Sequence, residues 1–115
     1  MTYVSGFVIP VKDADKDAYL KSAQAAGPLF KELGAVAVFE NWGADVRDGK
    51  LTDFKMAVKL EPGETVVFSW ILWPDRPTAD AAEKAMMEDP RFEALGMPFD
   101  GKRMIVGGFE TLYQI

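Results

Sequence analysis

The chain has 115 residues, 49% of them hydrophobic and 27% charged, which suits a single domain around one core and excludes a disordered polymer. Thirteen basic against eighteen acidic residues leave a net charge of -5, and because the basic residues are scattered a nucleic-acid partner is not expected. Cysteine and histidine are both absent, which removes disulfides, thiolate chemistry, the commonest general base and the usual ligands of zinc, copper and haem iron, so no cofactor and no transition-metal site is expected.

The opening residues, Met1 to Gly6, lack the basic segment and apolar run of a secretion signal, and no apolar stretch approaches the ~20 residues that span a bilayer. A soluble, cytoplasmic protein without a membrane partner is the expectation. Tyr3 to Val11 is rich in β-branched and aromatic residues and predicts a first strand, ending around Pro10 and the acidic cluster Asp13, Asp15 and Asp17. From Asp15 to Leu33 the positions Tyr19, Ala23, Ala26, Phe30 and Leu33 step by four and three, the spacing of one helix face, and Gly34 supplies the stop. Gly27-Pro28 interrupts that pattern and predicts a kink or loosened turn, because proline removes the bond to the Gln24 carbonyl.

Ala35 to Trp42 predicts a second strand, apolar on both alternations at its start. A turn over Asp45 to Lys50, built on Asp48-Gly49, and a short helical piece over Phe54 to Lys59 follow, and Pro62-Gly63 breaks the chain again. Thr65 to Trp73 is the strongest strand signal and stops at Pro74. Asp75 and Pro77 open a second long helix, marked by Ala79, Ala82, Ala85 and Met86 and closed by Pro90. After a turn of helix over Phe92 to Leu95, Asp100-Gly101 launches a last strand from Arg103 to Tyr113.

Strand, helix, strand, strand, helix, strand is the ferredoxin-like α+β order: a four-stranded antiparallel sheet with two helices on one face. Those helices cover one side of the sheet only, yet Val66, Phe68, Trp70 and Leu72 alternate with Val67, Ile71 and Trp73, so both sides of the third strand are apolar. An uncovered apolar face of that size is unusual in a soluble monomer, and a homodimer joined through it is expected.

Val66-Val67-Phe68-Ser69-Trp70-Ile71 followed by Trp73-Pro74, then Asp89-Pro90-Arg91, then Met97-Pro98-Phe99-Asp100-Gly101-Lys102-Arg103-Met104 with Gly107-Gly108-Phe109, resembles the YbaA-like bacterial proteins of unknown function over essentially the whole chain. The resemblance implies a dimeric α+β barrel, two ferredoxin-like sheets packed face to face, and no established activity. Barrels of this kind include cofactor-free monooxygenases, isomerases, haem-degrading enzymes and stress-related proteins, so the fold does not choose among them. Asn41-Trp42 is similar to a pair that haem-degrading barrels set beside a histidine ligand; with no histidine in the chain, haem is not expected.

Glu40, Trp42 and Asp45 lie near the end of the second strand, with Glu40 and Trp42 on one face and Asn41 and Asp45 on the other. A carboxylate and an indole lining a pocket can hold and deprotonate a small molecule; the plainer alternative is a core tryptophan and a salt-bridged glutamate. Arg103 is placed either to hold an anionic ligand or to tie the last strand to Asp45, Asp53 or Glu40 by an ion pair, the second being favoured. Gly107-Gly108 marks a bulge or a close approach and lacks the setting of a phosphate loop. Ser5 and Ser69 have neither a nucleophile-elbow context nor a histidine base, and no acidic calcium loop is present.

The leading reading is a small-molecule-binding protein, with cofactor-free proton transfer, isomerisation or oxygenation as the chemistry open to it. Glu40 or Asp45 would be the base, Arg103 the anion holder, and Trp42, Trp70 and Met104 the apolar platform. The competing reading is a dimeric interaction module without chemistry. A cavity of roughly 300 Å³ or more lined by these residues separates the first from the second.

Overall fold

A computed structural model describes all 115 residues. The long elements are β1 (Tyr3–Lys12), α1 (Lys16–Glu32), β2 (Ala37–Trp42), β3 (Glu64–Trp73), α3 (Arg76–Glu88) and β4 (Ile105–Glu110), with two single-turn helices, α2 (Phe54–Ala57) and α4 (Pro90–Glu93). The strands form one sheet in the order β2-β3-β1-β4, and every neighbouring pair is antiparallel. With its β-α-β-β-α-β order, that is the ferredoxin-like fold.

Pairing of Tyr3 with Trp73 and of Ile9 with Val67 sets Phe7, Ile9 and Val11 of β1 on the same face as Val67, Ile71 and Trp73 of β3. This face turns toward the helices. One buried cluster there joins Ile71 and Trp73 to Ala79 and Ala82 of α3; another joins Ile9, Val11 and Val67 to Tyr19 of α1. The small residues of α3 let that helix approach closely, while Trp73, 1% exposed, fills the space and donates its indole N–H to Ser5 Oγ at 3.0 Å.

Local chemistry explains the element ends. Asp75 Oδ1 accepts from the Thr78 backbone N–H at 2.8 Å, and Asp53 Oδ1 from that of Met56 at 2.7 Å, so each caps a helix. Gly34 takes φ +104° to close α1, and a Cβ there would meet Thr78 Cγ2 at 2.8 Å. Two prolines lie inside long elements. Pro10 sits inside β1, because the β4 ladder ends at Val8 and leaves the strand paired on one side only beyond it. Pro28 lies inside a helix that continues through it; both Pro28 and Gln24 are on the exposed side, where water can meet the freed carbonyl.

β4 is shorter than the sequence predicts. Arg103 is held by side-chain partners outside the ladder, and after Thr111, whose N–H reaches the Thr2 carbonyl, the chain has passed the end of β1. Gly107 and Gly108 pair in regular register with Gly6 and Ser5, so no bulge forms. Rings crowd both positions: a Cβ on Gly108 would lie 1.8 Å from the Tyr3 hydroxyl, which would have to move, and one on Gly107 3.1 Å from the Phe109 ring.

The opposite sheet face carries neither long helix; only the single-turn α2 reaches it, through Phe54, whose ring centroid lies 5.7 Å from that of Phe68. Phe39 stacks on Trp70 with centroids 5.0 Å apart, and Phe68 lies 5.2 Å from Trp70 on its other side. Phe39, Phe68 and Phe109 remain 48%, 45% and 60% exposed. No helix is long and apolar enough to cross a membrane.

Candidate functional site

Between the helix-covered face of the sheet, α1 and the segment from α4 to Met104 lies an open cavity of about 340 Å³. Helical spacing brings Tyr19, Ala23 and Ala26 of α1 to its wall, and strand alternation brings Phe7, Ile71 and Ser69 to its floor. The alanines leave the room; Phe30, Phe92, Phe99 and Met104 give the rest of the wall an apolar, adaptable surface.

Glu40 is the only charged residue in the lining. It projects from the edge strand β2, opposite Ser69 of β3, and its Oε1 accepts a hydrogen bond from the Tyr19 hydroxyl at 2.6 Å. Loss of water around the Glu40 carboxyl raises its pKa above the ordinary value, and hydrogen bonds from Tyr19 and Ser69 partly offset that rise. Burial pushes the Tyr19 phenol upward as well, reinforced by the neighbouring carboxylate, so Tyr19 remains a proton donor at neutral pH. Ser69 is 3% exposed. The arrangement is a carboxylate that accepts from the Tyr19 hydroxyl, with Ser69 opposite it on β3, on the rim of an apolar cleft, able to accept a further hydrogen bond or a proton from a molecule inside it.

Of the residues the sequence singles out, the structure brings Glu40 and Met104 to this cavity. Trp42 shares the inward face of β2 but packs against the Ile9, Val11, Tyr19 and Val67 cluster, with the Lys16 ammonium 5.0 Å from its ring centroid. Trp70 points the other way, into the aromatic row of the open face. Asp45 lies in the exposed β2–α2 loop, where its carboxylate meets Arg47 at 3.4 Å. Arg103 also stands apart from the cavity. Its guanidinium engages Glu64 through two hydrogen bonds of 2.7 Å, Asp100 at 2.9 Å and the Lys59 carbonyl at 3.1 Å. This is the kind of ion pair the sequence favours for Arg103, but its partners are Glu64 and Asp100, not Asp45, Asp53 or Glu40: the chain turns at Gly101 in a way that aims Arg103 at the start of β3. A base at Asp45 and an anion holder at Arg103 therefore do not converge with Glu40.

Tyr19 and Ser69 do not stand out in the sequence, Tyr19 being one member of a helix stripe and Ser69 an isolated hydroxyl. The signal that marks them is that each interrupts an otherwise apolar row on the same side of the sheet as Glu40. No group of three or more aspartates and glutamates is positioned to hold a metal ion.

Solved structures share this architecture, among them two that match over nearly the whole chain. A dimeric ferredoxin-like protein from an uncultured marine organism superposes with a TM-score of 0.63 at 12% identity, covering 99% of this chain and 98% of the other. A putative antibiotic biosynthesis monooxygenase from Nitrosomonas europaea gives 0.61 at 15% identity, over 97% and 91%. At those identities the likeness is one of fold. In sequence, the uncharacterized protein YbaA of Escherichia coli K12 is 57% identical over 114 residues, 97% of each chain, and YbaA of Shigella flexneri matches to the same extent. The family model described as "Protein of unknown function (DUF1428)" matches residues 2–101, and with near full-length identity to YbaA the chain belongs to that family.

Proposed function

We propose that this protein binds a small, largely apolar molecule in the cavity between sheet and helices, with Glu40 placed to accept a proton from it, and that it works as a homodimer joined through the open sheet face. The observation that carries the reading is the Glu40–Tyr19 pair at the edge of a lining that is otherwise apolar or hydroxylic. Such a cleft has the size and composition of a small-ligand site, a few polar groups set in hydrophobic walls. Proton transfer to Glu40 needs no metal or cofactor. The Nitrosomonas europaea neighbour supports the fold and does not choose the reaction.

The test is titration with N-phenyl-1-naphthylamine, a neutral dye that brightens in apolar surroundings. Saturable binding that Ala26→Trp abolishes, in a variant whose melting temperature stays within a few degrees of wild type, supports the reading. The exposed rings of Phe39 and Phe68, packed on the half-buried Trp70, favour the second reading, a dimeric interaction module. Dye binding that ignores Ala26→Trp and disappears with Trp70→Lys would favour that module.

A further inference from the structure

We propose that the cavity selects a neutral ring compound bearing a hydroxyl donor, of the phenol or enol class, over its carboxylate and ammonium counterparts. This rests on the reading of the cavity as a ligand site and adds the ligand's polar chemistry.

Charge is the first constraint. Glu40 is the sole ionisable carboxylate in the lining, and no lysine or arginine faces it there. The guanidinium expected to receive an anion, Arg103, is committed to Glu64 and Asp100, and Lys16 lies over the Trp42 ring. An anionic ligand entering the cleft would give up water without gaining a counter-ion, and would meet a like charge at Glu40.

An ammonium gains one favourable charge but brings three N–H donors. Glu40 Oε1 is already taken by Tyr19, and beyond the carboxylate the only side-chain oxygens in the lining are the hydroxyls of Ser22, Ser69 and Tyr19. Donors left unmet in an apolar setting weaken binding. A single hydroxyl matches what remains, one donor for the free lone pairs of Glu40, and its ring matches Phe7, Phe30, Phe92 and Phe99. The Tyr19–Glu40 bond itself is the template, a phenol already docked on this carboxylate at 2.6 Å.

The experiment is displacement of N-phenyl-1-naphthylamine from the wild-type protein at pH 7 by four compounds of one shape: 2-naphthol, 2-methylnaphthalene, 2-naphthoate and 2-naphthylmethylammonium. The expected result is that 2-naphthol binds about tenfold or more tightly than each of the others, since a hydrogen bond to a charged acceptor is worth that much or more. In Glu40→Leu the advantage of 2-naphthol over 2-methylnaphthalene should vanish, and in Glu40→Gln the discrimination against 2-naphthoate should fall by about tenfold. If 2-methylnaphthalene binds as well as 2-naphthol, or if naphthoate or the ammonium binds as tightly, the proposed selectivity is overturned while the ligand site stands. If neither the dye nor any of the four binds, the ligand site falls and the selectivity with it. Because the four-compound series is read on wild type, its outcome does not depend on either variant folding.

Discussion

Glu40 is more tolerant of protonation in the folded chain than in the unfolded one, since its surroundings raise its pKa. A raised carboxyl pKa means that folding favours the protonated form, so the contribution is fully present below the unfolded value near ~4.3 and is lost as pH rises through the folded value. At pH 7 the ionised Glu40 therefore opposes folding. Glu40→Gln keeps an oxygen to accept from Tyr19 and removes the charge; because Glu40 is exposed on the rim, water screens most of the effect, so thermal melts should place the variant level with wild type or slightly above it at pH 7 and equal to it near pH 4. A variant that melts below wild type at neutral pH would mean that the carboxylate is held for stability, not for a ligand. The same reasoning with opposite sign applies to Glu64, whose pKa lies below the ordinary value because Arg103 hydrogen-bonds its carboxylate. Its contribution is present above the unfolded value and disappears as pH falls through the folded one.

Among the elements, the Arg103 cluster explains how β4 joins the sheet with so short a ladder. β4 pairs with β1 alone, and the long segment from α4 to Met104 must reach the sheet's far edge before pairing begins. The Arg103 fork on Glu64 anchors the entry to β4 against the beginning of β3, and the hydrogen bond to the Lys59 carbonyl adds the β2–β3 connection to the same knot. Glu64 is shielded there, with its side chain 4% exposed. Arg103→Met would leave that carboxylate without its partner, and the melting temperature should fall by roughly 5 °C or more. Glu64→Gln alone should lower it less, and the double variant should recover part of the loss of Arg103→Met. Equal melting of Arg103→Met and wild type would show that the knot adds nothing to stability and leave Arg103 free for another role. Met104 follows directly and lines the cavity, so a loosened anchor should also weaken dye binding.

Across the molecule, the decisive feature is the asymmetry of the two sheet faces. α1 and α3 cover one; the other presents Phe39, Phe68 and Phe109 to solvent around the half-buried Trp70. Face-to-face association of two such sheets would hide these rings, and the marine ferredoxin-like neighbour is dimeric. Light scattering at micromolar concentration should give twice the 12.7 kDa chain mass, unchanged by added salt because the contact is apolar. Trp70→Lys should shift the mass toward one chain. A wild-type protein that scatters as a single chain at that concentration would refute the dimer.

Element order is legible in the chain alone, because period-two and period-3.6 apolar patterns and proline, glycine and aspartate punctuation are local properties that survive without a partner. From that order follows the ferredoxin-like sheet, and the apolar alternation of Val66 to Trp73 shows that both faces are hydrophobic. Family membership is legible too, through the Met97 to Met104 run. Convergence is not, and it emerges only when the chain is packed. Glu40 meets Tyr19 across 21 positions and Ser69 across the β2–β3 pair, while Asp45, near Glu40 in sequence, ends in a loop elsewhere. Arg103 finds Glu64, 39 positions away. Alternation tells which face a side chain takes, but the partner it meets depends on register and on how far a loop reaches, and those are set by packing across the whole sheet.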